Sequence, residues 1–293
     1  MKGMIKMNTI LEVIGLTKQY RKSDFRLNNI SFSIPKGTIM GFVGENGAGK
    51  TTTIGCILNT LIKDSGVVKI FGKEMSDDAT DIRDDIGVVY DKNAFPTHLT
   101  ALKVANIMRH LYTNWDDDLY KKYLSTFKLP EKKKIKTFSR GMTMKLAVAV
   151  ALSHRPKLLI LDEATAGLDP VVRDDILDVF MGFVQDENNS ILLSSHITSD
   201  LEKVADYITF IHNGNIIFCE SKDDLKYNYG VMRCKAAQFA EIDKEDIVAY
   251  RKHDYQTDVL VANKKTAEKK YRDVVIDNVT IEEIMLMFVK GER

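Results

Sequence analysis

Gly44 to Thr51 reads GENGAGKT, between the apolar run IMGFV (Ile39 to Val43) and a helix-like stretch, TTIGCILNTLI, that begins at Thr52. The octet fits G-x-x-x-x-G-K-[S/T] in the strand–loop–helix setting that gives the pattern its meaning. Its glycines let successive backbone N–H groups curl around phosphate oxygens. Lys50 reaches the terminal phosphates, and the Thr51 hydroxyl can ligate Mg²⁺. A phosphate loop after a buried strand predicts an α/β fold with a largely parallel sheet.

A second run supports this. LLILDE (Leu158 to Glu163) is four apolar residues ending in two carboxylates, and a buried parallel strand delivers such residues to the sheet's C-terminal edge, where ligands gather. There one acid can hold Mg²⁺ while the next orients or deprotonates an attacking water. Between the two motifs lies TFSRGMTMKLAVAV (Thr137 to Val150). Ser139 is placed to cap a helix. Arg140 and Gly141, a cation and a glycine in the first turn, make it an anion site more than a stable start.

Strands are expected at Leu11 to Ile14, Ile30 to Ile34, Thr38 to Val43, Val67 to Phe71 and Ile86 to Tyr90, then at Leu158 to Asp162, Ser190 to Ser195, Tyr207 to Ile211 and Asn215 to Cys219. Ala101 to Leu129 reads as mainly helical, with an Asp-rich helix start at Asp116 to Asp118. Val171 to Val184 has helical spacing. Past Ser221, VMRCK, DVLVA, KKTAEKKY and VTIEEIMLMFV suggest a separate α/β unit.

The chain has 293 residues, 44% hydrophobic and 28% charged, with a formal charge of +1. That balance fits a soluble globular protein and gives no support for nucleic-acid binding. EKKKIK (Glu131 to Lys136) is read as a solvated loop. The opening MKGMIKMNTI lacks the apolar core of a signal peptide, and no stretch approaches the ~18 apolar residues of a spanning helix. Cys56, Cys219 and Cys234 lack metal-ligand spacing and read as reduced thiols.

The phosphate loop, FSRGM, LLILDE, AGLD (Ala166 to Asp169) and SSH (Ser194 to His196), in this order, resemble the ATP-binding cassette family over roughly residues 10–220. The resemblance implies a P-loop NTPase core with an antiparallel β subdomain and a helical insert at about 93–155. A small C-terminal α/β domain would fill 221–293. It implies ATP and Mg²⁺ as ligands, held in cis by Gly44, Asn46, Gly47, Ala48, Gly49, Lys50, Thr51 and Thr52, with Tyr20 stacked on adenine. Asp162 would hold the metal beside Thr51, Glu163 would be the general base, and His196 would contact the γ-phosphate. Ser139 and Gly141 would bind the γ-phosphate of ATP held by an opposing subunit, with Asp169 at the dimer junction.

Two motifs depart from the family pattern, at three positions. Asp91 stands where a glutamine that ligates Mg²⁺ is usual, so a charged ligand is expected there. Arg140 and Met142 replace a glycine and a glutamine of the signature. These features, NWDDD and the C-terminal tail resemble ATPase subunits of ABC-2 type exporters of Gram-positive bacteria, the phenol-soluble modulin and bacitracin-type exporters. The implied protein is a homodimer, or a heterodimer with a paralogue, at the cytoplasmic face of the membrane. It would drive a separate transmembrane permease docked near Asn93 to Leu102, with Phe95 and Leu99 as apolar anchors. The alternatives are a soluble ABC ATPase acting on chromosomes or ribosomes and a nucleotide-dependent regulatory module.

Overall fold

The computed structural model describes residues 8–21, 24–91 and 95–292. The expectation for Met1 to Met7, and Asn93 and Ala94 of the expected dock, lie outside the described residues. The chain divides into two compact units, Met1–Ala205 with Ile211–Ile216, and Asp206–Phe210 with Ile217–Arg293.

In the first unit, β1 (Thr9–Gln19) pairs antiparallel with β2 (Arg26–Pro35), as it does with β4 (Ser65–Ile70). With β5 (Lys73–Glu74) they form one sheet in the order β2-β1-β4-β5. β1 and β2 extend beyond the apolar runs that announced them, because their outer residues pair through backbone while their side chains face water.

The second sheet carries the chemistry. β3 (Ile39–Val43), β6 (Ile86–Tyr90), β7 (Leu158–Asp162) and β8 (Ser190–Ser195) run parallel, with β8 between β3 and β7 and β6 beyond β7. Every residue of β3, β7 and β8 is buried, the mark of strands covered on both faces. α1 (Lys50–Ile57) follows β3, α2 (Thr80–Asp84) precedes β6, α6 (Pro170–Phe183) links β7 to β8, and α7 (Thr198–Val204) follows β8. The register sets Tyr90 beside Asp162 and Asp162 beside Ser194 at one end of the sheet.

Among the described residues the α-helices between β6 and β7 are α3 (Ala101–Leu111), α4 (Asp117–Thr126) and α5 (Arg140–Leu152). The Thr100 side chain caps α3, and Asp116 caps α4 by accepting from the Asp118 and Leu119 amides. α5 is buried from Met144 to Leu152 and anchored by His154, whose Nε2 lies 3.1 Å from the Ile86 carbonyl oxygen and whose ring stacks on Tyr112. Burial holds the His154 pKa below the usual imidazole value, which fits a structural residue.

β9 (Tyr207–His212) and β10 (Asn215–Ser221) are divided between the units. The second unit continues with α8 (Lys222–Asn228), β11 (Gly230–Cys234), α9 (Ala236–Ala240), β12 (Ala249–Lys252), β13 (Thr257–Val261), α10 (Lys264–Lys270), β14 (Val275–Asp277) and α11 (Ile281–Lys290). From β11 to β14 the elements alternate β-α-β-β-α-β, and the sheet order is β12-β13-β11-β14. That is the split β-α-β arrangement. Met232, Cys234, Val259 and Val261 pack its core, and a Thr280–Glu283 capping box starts α11.

Candidate active site

The phosphate loop is built from backbone. Gly47 and Gly49 adopt φ of +84° and +116°, the left-handed region that glycine enters without strain. Gly44 is required for closeness: a Cβ there would lie 2.4 Å from the Ile211 carbonyl oxygen. Gly49 occupies the N-cap of α1, so no side chain consumes the amides of its first turn. Asn46 and Gly47 are exposed at the tip, whereas Ala48, Gly49 and Lys50 are buried.

Lys50 Nζ donates to the Gly44 carbonyl oxygen at 2.7 Å and lies 3.1 Å from Glu163 Oε1. Thr51 Oγ1 donates to Asp162 Oδ2 (2.8 Å), and Ser194 Oγ donates to Asp162 Oδ1 (3.0 Å). Burial pushes the Asp162 carboxyl above the usual aspartate value. The two hydroxyls and Lys50 pull against that, and the Glu163 charge adds to it. His196 Nδ1 lies 2.6 Å from Glu163 Oε2. Glu163 itself sits at φ +55°, a strained backbone for a non-glycine residue. The sheet edge therefore joins Lys50, Thr51, Asp162, Glu163, Ser194 and His196 in one network. Tyr20 stands at its margin, 38% exposed, with its hydroxyl 3.4 Å from Thr52 Oγ1.

The signature residues are engaged differently. Ser139 Oγ accepts from the Met142 amide at 3.2 Å, the expected cap of α5. Gly141 is small for packing: a Cβ would lie 3.1 Å from Val172 Cγ1 on α6. Asp169 caps α6 by accepting from the Val172 amide at 3.0 Å. Among the described residues no hydrogen bond joins Ser139, Gly141 or Asp169 to the network around Asp162.

Two details were not read from the sequence. Ser194 holds Asp162, a role legible only from the Asp162–Ser194 register. Arg140, read as a cation added to the anion site, instead places Nη2 2.7 Å from Asp91 Oδ1. Asp91, read as a metal ligand, thus has its carboxylate against Arg140; among the described residues no hydrogen bond ties it to Thr51 or Asp162. EKKKIK forms a strap whose Ile135 and Lys136 amides donate to the Leu99 and Thr97 carbonyls. Beside it, Phe95, Pro96, Leu99, Val104, Ile107 and Met108 help line an apolar cavity of about 370 Å³.

The donor set suits a nucleoside triphosphate with Mg²⁺. The loop offers amides and one buried ammonium to phosphates, and a hydroxyl and a carboxylate oxygen suit a hard cation. Among the described residues no cluster of three or more His, Cys, Asp or Glu side chains could hold a metal. The remaining ligands of a bound ion would come from phosphate and water.

Residues 27–166 match the family described as ABC transporter. The chain is 32% identical to the bacitracin transport ATP-binding protein BcrA of Enterococcus faecalis over 216 residues, 73% of this chain and 70% of that protein. It is 35% identical to the lantibiotic transport ATP-binding protein SrtF of Streptococcus pyogenes over 218 residues, 73% of this chain and 92% of that one. A solved ATP-binding subunit of an ABC transporter superposes with a TM-score of 0.68 at 27% identity, over 74% of this chain and 92% of its own.

Proposed function

This chain belongs to the ABC transporter family as an ATP-hydrolysing subunit, and on that premise we propose that it is the motor of a peptide exporter. Two such chains enclose two ATP molecules, each between one chain's phosphate loop and the other's Ser139–Gly141 turn. The observation that carries this reading is the separation of the two sets. Lys50, Thr51, Asp162, Glu163, Ser194 and His196 form one network of ion pairs and hydrogen bonds, while Ser139 caps an exposed helix start outside it.

In each composite site the loop amides and Lys50 bind and orient the phosphates. Glu163 accepts a proton from the water that attacks the γ-phosphorus, and the bond to the ADP oxygen breaks. His196 holds the Glu163 carboxylate in place. Thr51 and Asp162 would hold Mg²⁺, which when bound would offset negative charge on the phosphates. Asp169, capping α6 beside Gly141's packing partner Val172, sits at the junction between chains.

Among the described residues no helix is long and apolar enough to cross a membrane. A separate permease therefore supplies the passage, and its cytoplasmic helix fits the apolar cavity at Phe95, Leu99 and Ile107. The cargo class follows the relatives named for bacitracin and lantibiotic transport: amphipathic or antimicrobial peptides. The test is transport itself. Reconstituted with the multi-spanning protein it co-purifies with, the chain should drive ATP-dependent peptide movement into inverted vesicles. Movement that persists with Lys50→Ala would sink the motor assignment.

A further inference from the structure

Asp91 and Arg140, two of the three positions that depart from the family pattern, are bonded to each other. Arg140 Nη2 lies 2.7 Å from Asp91 Oδ1, across 49 positions of sequence. We propose that Arg140 is a positioning residue for its own chain's nucleotide site: it neutralises Asp91 and ties the end of β6 to the Ala166–Asp169 loop, rather than contacting the partner's phosphate. The proposal rests on the composite-dimer reading given above.

The charge pattern at the sheet edge gives the reason. Tyr90 is in register with Asp162, so Asp91 follows at the sheet edge that carries Asp162 and Glu163. Asp91, Asp162 and Glu163 put three acids at one sheet edge, the edge that must accept a triphosphate. Glu163 has Lys50 within 3.1 Å, and Asp162 is held by the Thr51 and Ser194 hydroxyls. Arg140 compensates the third acid. A glutamine at position 91 would need no such compensation, and a glycine at 140 could give none.

The second contact is steric. Gly167 adopts φ +64°, and a Cβ there would lie 2.8 Å from Arg140 Nη1. The guanidinium therefore lies against bare backbone of the AGLD loop while it holds Asp91. Arg173 Nη2 also donates to the Leu168 carbonyl oxygen of the same loop at 3.3 Å. The Arg140 and Asp91 side chains are 55% and 40% exposed, so the pair adds little to stability. Its contribution is to charge and geometry.

A double-mutant cycle tests the pairing. Arg140→Gln and Asp91→Asn should each lower kcat/KM for MgATP about tenfold, and the double variant should lie near the single ones. A product near a hundredfold would overturn the coupling. Gly167→Ala should lower it similarly, and without multiplying the Arg140→Gln loss.

Mixed dimers separate cis from trans. One protomer carries an intact phosphate loop and Ser139→Ala; its partner carries Lys50→Ala and an intact signature, leaving one working site. Arg140→Gln in the first protomer should cost about tenfold, and in the second less than about twofold. A loss carried by the second protomer, alone or as large as that carried by the first, would overturn the cis assignment. Adding Ser139→Ala to the second protomer is the control. If activity survives it, the composite-dimer reading fails, while the double-mutant cycle still decides the Arg140–Asp91 pairing.

Discussion

His196 Nδ1 lies 2.6 Å from Glu163 Oε2, so the side chain assigned to the γ-phosphate and the assigned base form one unit. The pair should therefore not behave as two independent contributors. Glu163→Gln keeps the size and loses the base, and kcat should fall by about 10²–10⁴-fold with ATP binding retained. His196→Ala should cost less, and the double variant should be no slower than Glu163→Gln alone. With MgATP, Glu163→Gln should accumulate as a dimer by sedimentation. Parental turnover in that variant would remove Glu163 from the base role.

Ser139 caps α5, and this complicates its replacement by alanine. Loss of the cap costs about 1 kcal/mol regardless of any phosphate contact. Ser139→Asp separates the effects, because aspartate caps as well as serine but sets a negative charge where a partner's γ-phosphate would lie. The melting temperature should stay close to parental while hydrolysis collapses. Retained hydrolysis in a well-folded Ser139→Asp protein would mean that no phosphate approaches this turn.

Asp162 predicts a conflict between stability and function. Its pKa is raised mainly by burial, so the fold favours the protonated carboxyl. A raised pKa contributes stability at low pH and loses it as pH rises through the folded value. At neutral pH the buried charge is therefore a cost. Asp162→Asn should raise the nucleotide-free melting temperature at neutral pH. That gain should shrink as pH falls toward the carboxylate range, and Mg²⁺-dependent hydrolysis should be lost. A melting temperature that falls at neutral pH would show the charge to be compensated.

Much of this site was legible because its chemistry is local. GENGAGKT carries its own backbone requirements, and LLILDE announces a buried strand ending in acids. Ser139 was readable as a cap and Asp116 to Asp118 as a helix start, because both depend on residues two or three positions away. Contacts across the sheet were not readable. Ser194 reaches Asp162 through strand register, and Arg140 reaches Asp91 through the packing of α5, neither of which sequence spacing encodes. In the second unit, AYRK and VID are too short and polar to signal β12 and β14, so the β-α-β-β-α-β order stayed hidden. EKKKIK looked like free solvated chain because its tie to the Thr97–Leu99 backbone uses amides, which composition does not report.

The proposed permease dock centres on the apolar cavity beside α3. Phe95 and Leu99 are half-buried at the cavity, and Ile107, on its α3 wall, is 44% exposed. An apolar cavity with a partly exposed wall suits the side chains of an amphipathic helix. Thr97 is exposed beside it, and its carbonyl is fixed by the Lys136 amide, so a side chain placed there has a defined position. Thr100 is a poorer probe, since its hydroxyl caps α3. A cysteine at Thr97 should crosslink to a cytoplasmic helix of the co-expressed permease. Phe95→Ala should weaken co-purification about tenfold or more, in line with the loss of an interface anchor, with ATP affinity of the free subunit unchanged. Ile107→Asp should abolish assembly by placing a charge in the cavity wall without touching the nucleotide network. If the complex assembles normally with Ile107→Asp and no crosslink forms at Thr97, the permease docks elsewhere; if transport needs no membrane partner, the exporter reading fails.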